Sequence, residues 1–304
     1  MPKLRGNEGC GGRPENGRHD AAEATAESQP TYRWSVIGIC FAGVTGWTAA
    51  PIVTAIDAAD DLQLRCGVSR SAAGQTLADA VGSSSDGLVY GSVAEALQSA
   101  AADVLVDYTS ASAVKDNVWT AVRAGVNVVV GSSGLAADDY AELDRLARDH
   151  GVGVIAAGNF SIMAAVLQQA AVMAAERLDH WEIVDYASAG KPDVPSGTSR
   201  ELAETMAQVR TSAAAVPLSE LHGPVEARGA EVGGTRIHSV RLPSFVATTE
   251  VIFGGKGERL TMRHDAGESP EPYVAGTLLA IRRAADVPGV RRGLGAVLFD
   301  GGSH

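Results

Sequence analysis

The sequence predicts an α/β protein, a doubly wound parallel sheet followed by a smaller α+β domain. Three observations predict it. Short apolar runs recur through the first half at intervals that leave room for a helix, a glycine-spaced turn follows the first run, and after Ser161 the pattern changes to an Ala-rich helix and alternating strands. With 304 residues, 45% apolar and 20% charged, the chain can bury one large or two moderate cores.

The opening stretch, residues 1–31, holds hardly any large apolar side chains and many Gly, Glu, Arg and Pro, so it is expected to be a disordered tail. It is too acidic for a transit peptide and lacks the apolar centre of a secretory one. Folded sequence begins at about Tyr32. In "YRWSVIGICFAG" the apolar run from Val36 to Ala42 reads as a buried strand, and the spacing of Val44, Ile52 and Ile56 then reads as the inner face of a helix. "LQLRCGV" (Leu62 to Val68), "ADVLVDYTS" (Ala102 to Ser110), "GVNVVVGSSG" (Gly125 to Gly134) and "GVGVIAAGNFS" (Gly151 to Ser161) continue the series. Helical segments from Ala113 to Ala124 and Ala137 to His150 separate the later runs. Near-continuous apolar strands belong to a parallel sheet covered on both faces. Ligands of such sheets sit outside the carboxyl ends of the strands, which directs Thr109, Gly131 to Gly134 and Ala157 to Ser161 at one crevice.

The turn between the first strand and helix reads Gly43-x-x-Gly46-x-x-Ala49. Glycines let a backbone approach a pyrophosphate, and a helix start offers unpaired N–H groups with a positive dipole end. This is the Rossmann-type arrangement, although a tight turn with close helix packing would give the same spacing. The second strand ends in Ser69-Arg70-Ser71, where an acidic residue would accept a ribose 2′-OH; hydroxyls beside an arginine suit a 2′-phosphate instead. NADPH is therefore expected in preference to NADH, with NADH possible; a solvated turn is the alternative reading of this segment.

Beyond Ser161, Ile162 to Leu178 reads as a helix, "WEIVDYA" as a strand, and "GGTRIHSVRLPSFVATTEVIFGGKGERLTMRHDA" as antiparallel strands. "EPYVAGTLLAIRRAADVPG" is an amphipathic helix long enough to pack back on the first domain. The expected division is a dinucleotide-binding domain of residues 32–160 and 270–304, and a substrate-binding and tetramerisation domain of residues 161–269.

Within "YASAGKPDVPSGTSRELAE", Ser196 or Thr198 can cap a helix, Thr198-x-x-Glu201 fits a capping box, and Leu202, Met206 and Val209 recur on one face. The N–H groups of Gly197 and Thr198 leave that helix start a few residues after Lys191. Dipole, hydroxyl and ammonium converge on an anion the size of a carboxylate. An ordinary capped helix beside a surface lysine is the alternative.

The order of these motifs resembles the dihydrodipicolinate reductase family from about Arg33 to Asp300, and Lys-x-Asp-x-Pro-Ser-Gly-Thr is its most specific part. The resemblance implies hydride transfer from NAD(P)H to a cyclic unsaturated dicarboxylate in the lysine and diaminopimelate pathway, by a homotetramer. It implies cofactor contacts at Gly43, Val44, Thr45, Gly46, Trp47 and Thr48, at Ser69 and Arg70, and, beside the nicotinamide, at Gly131, Ser132, Ser133, Ala157, Gly158, Asn159 and Phe160. Lys191 is implied as the catalytic lysine, with Ser188, Gly197 and Thr198 binding substrate.

Two departures stand beside that match. The family's His-His-x-His-Lys, whose first histidine is its proposed general acid, is Ala187-Ser188-Ala189-Gly190-Lys191 here. Its Arg-x-Gly-x-x-Gly-x-His becomes "RLPSFVATT", keeping Arg241, and Trp47-Thr48 replaces Arg-Met in the phosphate turn. A general acid is typically worth ~10²–10⁴-fold, whereas orientation and electrostatic binding contribute separately, so reduction can survive the loss. A paralogue acting on another cyclic imine, and a non-redox or nucleotide-sensing protein on the same fold, stay open as alternatives.

His180, His222, His238 and His264 show no metal-ligand spacing and are expected to be structural or solvent-facing, and no metal is inferred. Net charge is −11 with 25 scattered Lys and Arg, which argues against a nucleic-acid partner. No apolar run has the length of a membrane span. Three cysteines without metal spacing suit a reducing cytoplasm.

Overall fold

The computed structural model describes residues 36–299, all of them within one connected body. The expected tail, residues 1–31, lies outside the described residues. The first half alternates β1 (Ile37–Ala42), α1 (Ala49–Asp57), β2 (Leu62–Val68), α2 (Leu77–Val81), β3 (Val89–Tyr90), α3 (Val93–Ser99), β4 (Val104–Asp107), α4 (Val114–Arg123), β5 (Asn127–Val130), α5 (Ala137–Asp149) and β6 (Gly153–Ala156). Then come α6 (Ile162–Ala175), β7 (Trp181–Ala187), α7 (Gly197–Ala207), β8 (Ala230–Val232), β9 (Thr235–Arg241), β10 (Ala247–Gly255) and β11 (Glu258–Ala266). The described chain ends with α8 (Val274–Arg283), β12 (Gly289–Arg292) and α9 (Gly295–Leu298).

Seven parallel strands form the first sheet in the order β12-β6-β5-β4-β1-β2-β3. The order reverses between β1 and β4, which opens a crevice at their carboxyl ends. Alternation along β1 sends Ile39 and Phe41 into one core, with Ile52 and Ile56 of α1 and Ala280 and Ile281 of α8. Cys40 and Ala42 enter the opposite core, with Val118 and Val122 of α4 and Leu143 of α5. Burial on both faces is why these strands read as unbroken apolar runs. Pro51 is tolerated in the first turn of α1, where its missing N–H would have had no helical acceptor. β3 is too short and β12 too polar to stand out in the sequence, and their pairing is made by the sheet edges they extend.

The second sheet has the order β11-β10-β7-β9-β8. It is mixed, not antiparallel throughout as the alternation suggested. β7 and β9 run parallel, with α7 and the antiparallel edge strand β8 between them in the chain. Trp181, Ile183, Val251 and Phe253 on its inner face meet Leu202, Ala203 and Met206 of α7 and Ala171 and Ala175 of α6. Each large side chain buried there contributes about 1.5–3 kcal/mol. Val209, expected on that face, lies past the end of α7 and is exposed.

Candidate active site

The glycine turn occupies residues 43–48, between the end of β1 and the start of α1. Gly43 has φ +81°, and a Cβ there would stand 2.3 Å from the Tyr108 carbonyl oxygen, so only glycine lets the turn lie against the end of β4. The N–H groups of Thr45, Trp47 and Thr48 find no protein acceptor among the described residues. Val44 is buried beneath the turn, while Trp47 is 58% exposed and meets Tyr273 edge-on at 6.4 Å. At the end of β2, Ser69 Oγ lies 2.8 Å from Thr45 Oγ1 and 3.1 Å from Ser71 Oγ, and Arg70 is exposed beside them. Unpaired N–H groups at a helix start, closed off by hydroxyls and an arginine, form a cradle that fits a dinucleotide.

Next around the crevice, Asp107 is fully buried at the end of β4. Its carboxylate accepts hydrogen bonds from Thr109 Oγ1 at 2.8 Å, Ser132 Oγ at 2.6 Å and Asn117 Nδ2 at 2.8 Å. Ser132 is thereby held at the mouth of β5, beside Gly131 and Ser133. The loop after β6 is held from below: Phe160 is buried against Tyr108, with ring centroids 6.0 Å apart, and the Asn159 side-chain oxygen accepts the Ser161 N–H at 2.8 Å.

The facing wall is the turn from β7 to α7. Ser196 caps α7, its hydroxyl accepting the Ser199 N–H at 3.3 Å. The capping box expected between Thr198 and Glu201 does not form: Ser196 is the N-cap, Thr198 lies inside the first turn, and both side chains reach to the Gly158 backbone. Thr198 Oγ1 donates to the Gly158 carbonyl at 3.2 Å, and Glu201 Oε2 accepts the Gly158 N–H at 2.5 Å. Gln168 Nε2 donates to Glu201 Oε1 at 3.3 Å. Burial pushes the Glu201 carboxyl above the usual range, opposed by these donors. The start of α7 and the loop after β6 are thus joined through one buried carboxyl and one hydroxyl. The N–H groups of Gly197 and Thr198 have no protein acceptor among the described residues and remain available to an anion.

Beneath the turn, Asp185 on β7 is 1% exposed. It accepts from the Ser196 N–H at 2.8 Å and from Arg241 Nη2 at 2.7 Å. Burial would raise this carboxyl, but those donors outweigh it and hold it below the usual carboxylate range. Lys191 Nζ pairs with Asp193 at 3.0 Å at the cleft edge.

These walls enclose a cleft of about 270 Å³. Its lining brings together Gly131 to Ser133, Ala157 to Asn159, Lys191, Gly197 and Thr198 from the sequence-predicted set. Phe160 lies under the loop, the residues of the glycine turn with Ser69 and Arg70 lie further along the crevice, and Ser188 stands exposed on the β7 turn outside the lining. Ala187, at the family's histidine position, does line the cleft. Residues that the sequence did not place at the site also line it: Glu201, Tyr140, Arg292 and His264. The Arg292 guanidinium stacks over the Tyr140 ring at 4.4 Å. His264 was expected to be structural or solvent-facing, and the register of β11 puts it in the cleft instead. No spacing rule could find it, since its neighbours there come from β10 and α6.

A doubly wound sheet with a glycine turn at its switch point, facing across one cleft a helix start with free N–H groups on a second sheet, points to the class of dinucleotide-binding oxidoreductases. Models of the dihydrodipicolinate reductase N-terminus and C-terminus match residues 37–160 and 160–298. A 4-hydroxy-tetrahydrodipicolinate reductase of Geobacillus kaustophilus is 37% identical over 246 residues, 81% of this chain and 92% of that protein. One from Thermosynechococcus vestitus is 35% identical over 268 residues, covering 86% and 97%. A dipicolinate-bound dihydrodipicolinate reductase from Paenisporosarcina sp. TG-14 superposes with TM-score 0.69 at 26% identity, covering 86% of this chain and 99% of that one. The chain belongs to the dihydrodipicolinate reductase family.

Proposed function

We propose that this chain is an NAD(P)H-dependent reductase of the 4-hydroxy-tetrahydrodipicolinate type, reducing a cyclic unsaturated dicarboxylate in the lysine and diaminopimelate pathway. The observation that carries this reading is the cleft in which Lys191 and the free Gly197 and Thr198 N–H groups face the Ala157–Phe160 loop. A bound reduced dinucleotide supplies hydride at that loop. The chain's own work is to seat one substrate carboxylate on the α7 dipole, to balance it with the Lys191 ammonium, and to keep the Gly158 loop in register through Glu201 and Thr198. Turnover of dihydrodipicolinate generated in situ, followed as NADPH consumption, tests this; a family member with the histidines serves as control. NADPH binding with no turnover of dihydrodipicolinate would defeat it.

Lys191→Ala is expected to weaken turnover or substrate affinity by the worth of a charge-assisted contact, about 1.5–3 kcal/mol. Unchanged kcat and KM would remove Lys191 from the site. Preference for NADPH belongs to the same proposal, supported by the Ser69, Ser71 and Arg70 cluster at the end of β2. Arg70→Ala should raise the dissociation constant for NADPH more than that for NADH, and equal effects in calorimetry would sink the 2′-phosphate assignment. Assembly as a homotetramer through the second sheet and a cytoplasmic location are part of this reading. No helix among the described residues is long and apolar enough to cross a membrane.

One observation favours a second reading, reduction of a different cyclic imine acid. Ala187, Ala247 and Ala266 pair in register across β7, β10 and β11, so small side chains stand where the family carries a histidine. Of these, Ala187 alone replaces a larger family side chain, and it is there that a substrate with a different ring substituent would be admitted. A screen of cyclic imine and enamine acids with NADPH separates the two readings by their kcat/KM ratio.

A further inference from the structure

We propose that His264 supplies the proton in this reductase, in place of the histidine that the chain lacks at position 187. The inference rests on the reductase reading above. Thr249 on β10 pairs with Asp185 on β7 and with His264 on β11, and Ala247 pairs with Ala187 and Ala266. Side chains two residues apart on a strand share a face. His264 therefore stands on the same sheet face as Ala187, across the alanine row, and it is the one histidine in the cleft lining among the described residues.

The hydrogen bonds around the ring orient it. Ser161 caps α6, its hydroxyl oxygen accepting the Ala164 N–H at 3.4 Å. The hydroxyl proton is then free to point at His264 Nε2, 3.4 Å away. With Nε2 accepting, Nδ1 carries the proton of the neutral ring, and Nδ1 makes no hydrogen bond among the described residues. Ser161 directly follows the Ala157–Phe160 loop, so the element that borders the nicotinamide also sets the imidazole.

In the reaction, hydride adds to one atom of the substrate's conjugated π system while the cofactor is oxidised by two electrons. The π bond breaks, its electron pair moves to the far atom of that system, and that atom takes a proton from the His264 imidazolium. The neutral imidazole is reprotonated from solvent. Burial lowers the His264 pKa below the ordinary histidine value, opposed by Asp265 on its own strand. Tyr186 on β7, Lys191 and Asp193 after it, Arg200, Glu201 and Glu204 on α7, Tyr140 on α5, Arg292 on β12 and Tyr273 before α8 also line the cleft; β10 lines it with Ala247, Thr248 and Thr249, and α6 carries no ionisable side chain. Since the acid form is required, kcat/KM should rise as pH falls through that depressed value.

The test compares wild type with His264→Gln and His264→Ala, measuring kcat and KM against pH, NADPH affinity by fluorescence, and dipicolinate affinity by calorimetry. Glutamine keeps a partner for Ser161 but cannot deliver a proton. Expected is a loss in kcat of about 10²-fold or more in both variants, with KM and both affinities within a few-fold of wild type and the rise of kcat/KM with falling pH gone from the profile. If His264→Gln keeps the wild-type kcat and pH profile, the proposal is overturned while the reductase reading stands. If wild type itself reduces no cyclic imine acid, that reading fails and takes the proposal with it.

Discussion

Asp185→Ala is expected to destabilise the protein by about 3–5 kcal/mol, the range for leaving one member of a buried ion pair without its partner. The carboxylate holds four donors at once: the Ser196 N–H, Arg241 Nη2, and the Ser199 and Ser239 hydroxyls at 3.2 Å each. Removing it leaves the Arg241 guanidinium, whose Nε already lacks a partner, with backbone carbonyls but no counter-charge, and frees the Ser196 N–H at the N-cap of the helix that offers Gly197 and Thr198. Asp185→Asn keeps the shape and should cost less. Urea denaturation reads both effects, and a loss under about 1 kcal/mol in the alanine variant would show that the network does not hold the turn. The pH dependence follows from the depressed carboxyl: its contribution is present above the unfolded aspartate pKa and is lost as pH falls through the lower folded value. The alanine variant should therefore show a shallower acid-induced loss of stability than wild type.

Gly276→Ala is the second large effect. A Cβ at this buried position in α8 would stand 1.9 Å from the Phe160 carbonyl oxygen and 2.7 Å from Leu294 Cδ2. Neither can retreat easily, because Phe160 is packed beneath the loop at the cleft and Leu294 is 1% exposed. Overpacking of this kind typically costs about 1–3 kcal/mol. The strain should also reach function, since the displaced carbonyl belongs to the loop that lines the cleft and is proposed to hold the cofactor. A fall in melting temperature accompanied by weaker NADPH binding is expected. Gly254→Ala, where no atom lies within 4 Å of the added Cβ, is the near-neutral control. Wild-type stability in Gly276→Ala would mean that α8 slides on the loop without resistance.

Much of the first sheet was legible because its physics is local. β2 and β7 begin and end at the residues that the apolar pattern marked, and β1 starts one residue later. A strand buried on both faces has to be apolar along its length, and the turn after it has to be built of small residues if backbone is to meet phosphate. The Ser196 to Thr198 helix start was equally plain, as capping depends on neighbours in the chain. The capping box was misassigned because Ser196 is the N-cap, and the Glu201 carboxylate goes to a non-local donor, the N–H of Gly158, 43 residues earlier.

The sequence by itself determined the doubly wound fold, the glycine turn, the capped helix start a few residues after Lys191, and the alanine at position 187. Each of these is a property of adjacent residues, whose side-chain period and turn chemistry constrain them before any tertiary contact forms. Only the tertiary structure decided that β7 and β9 run parallel, that Glu201 and Thr198 reach across to Gly158, and that His264 faces the same cleft as Ala187. Strand pairing joins residues far apart in the chain, and its register is set by which faces must be buried rather than by spacing along the sequence.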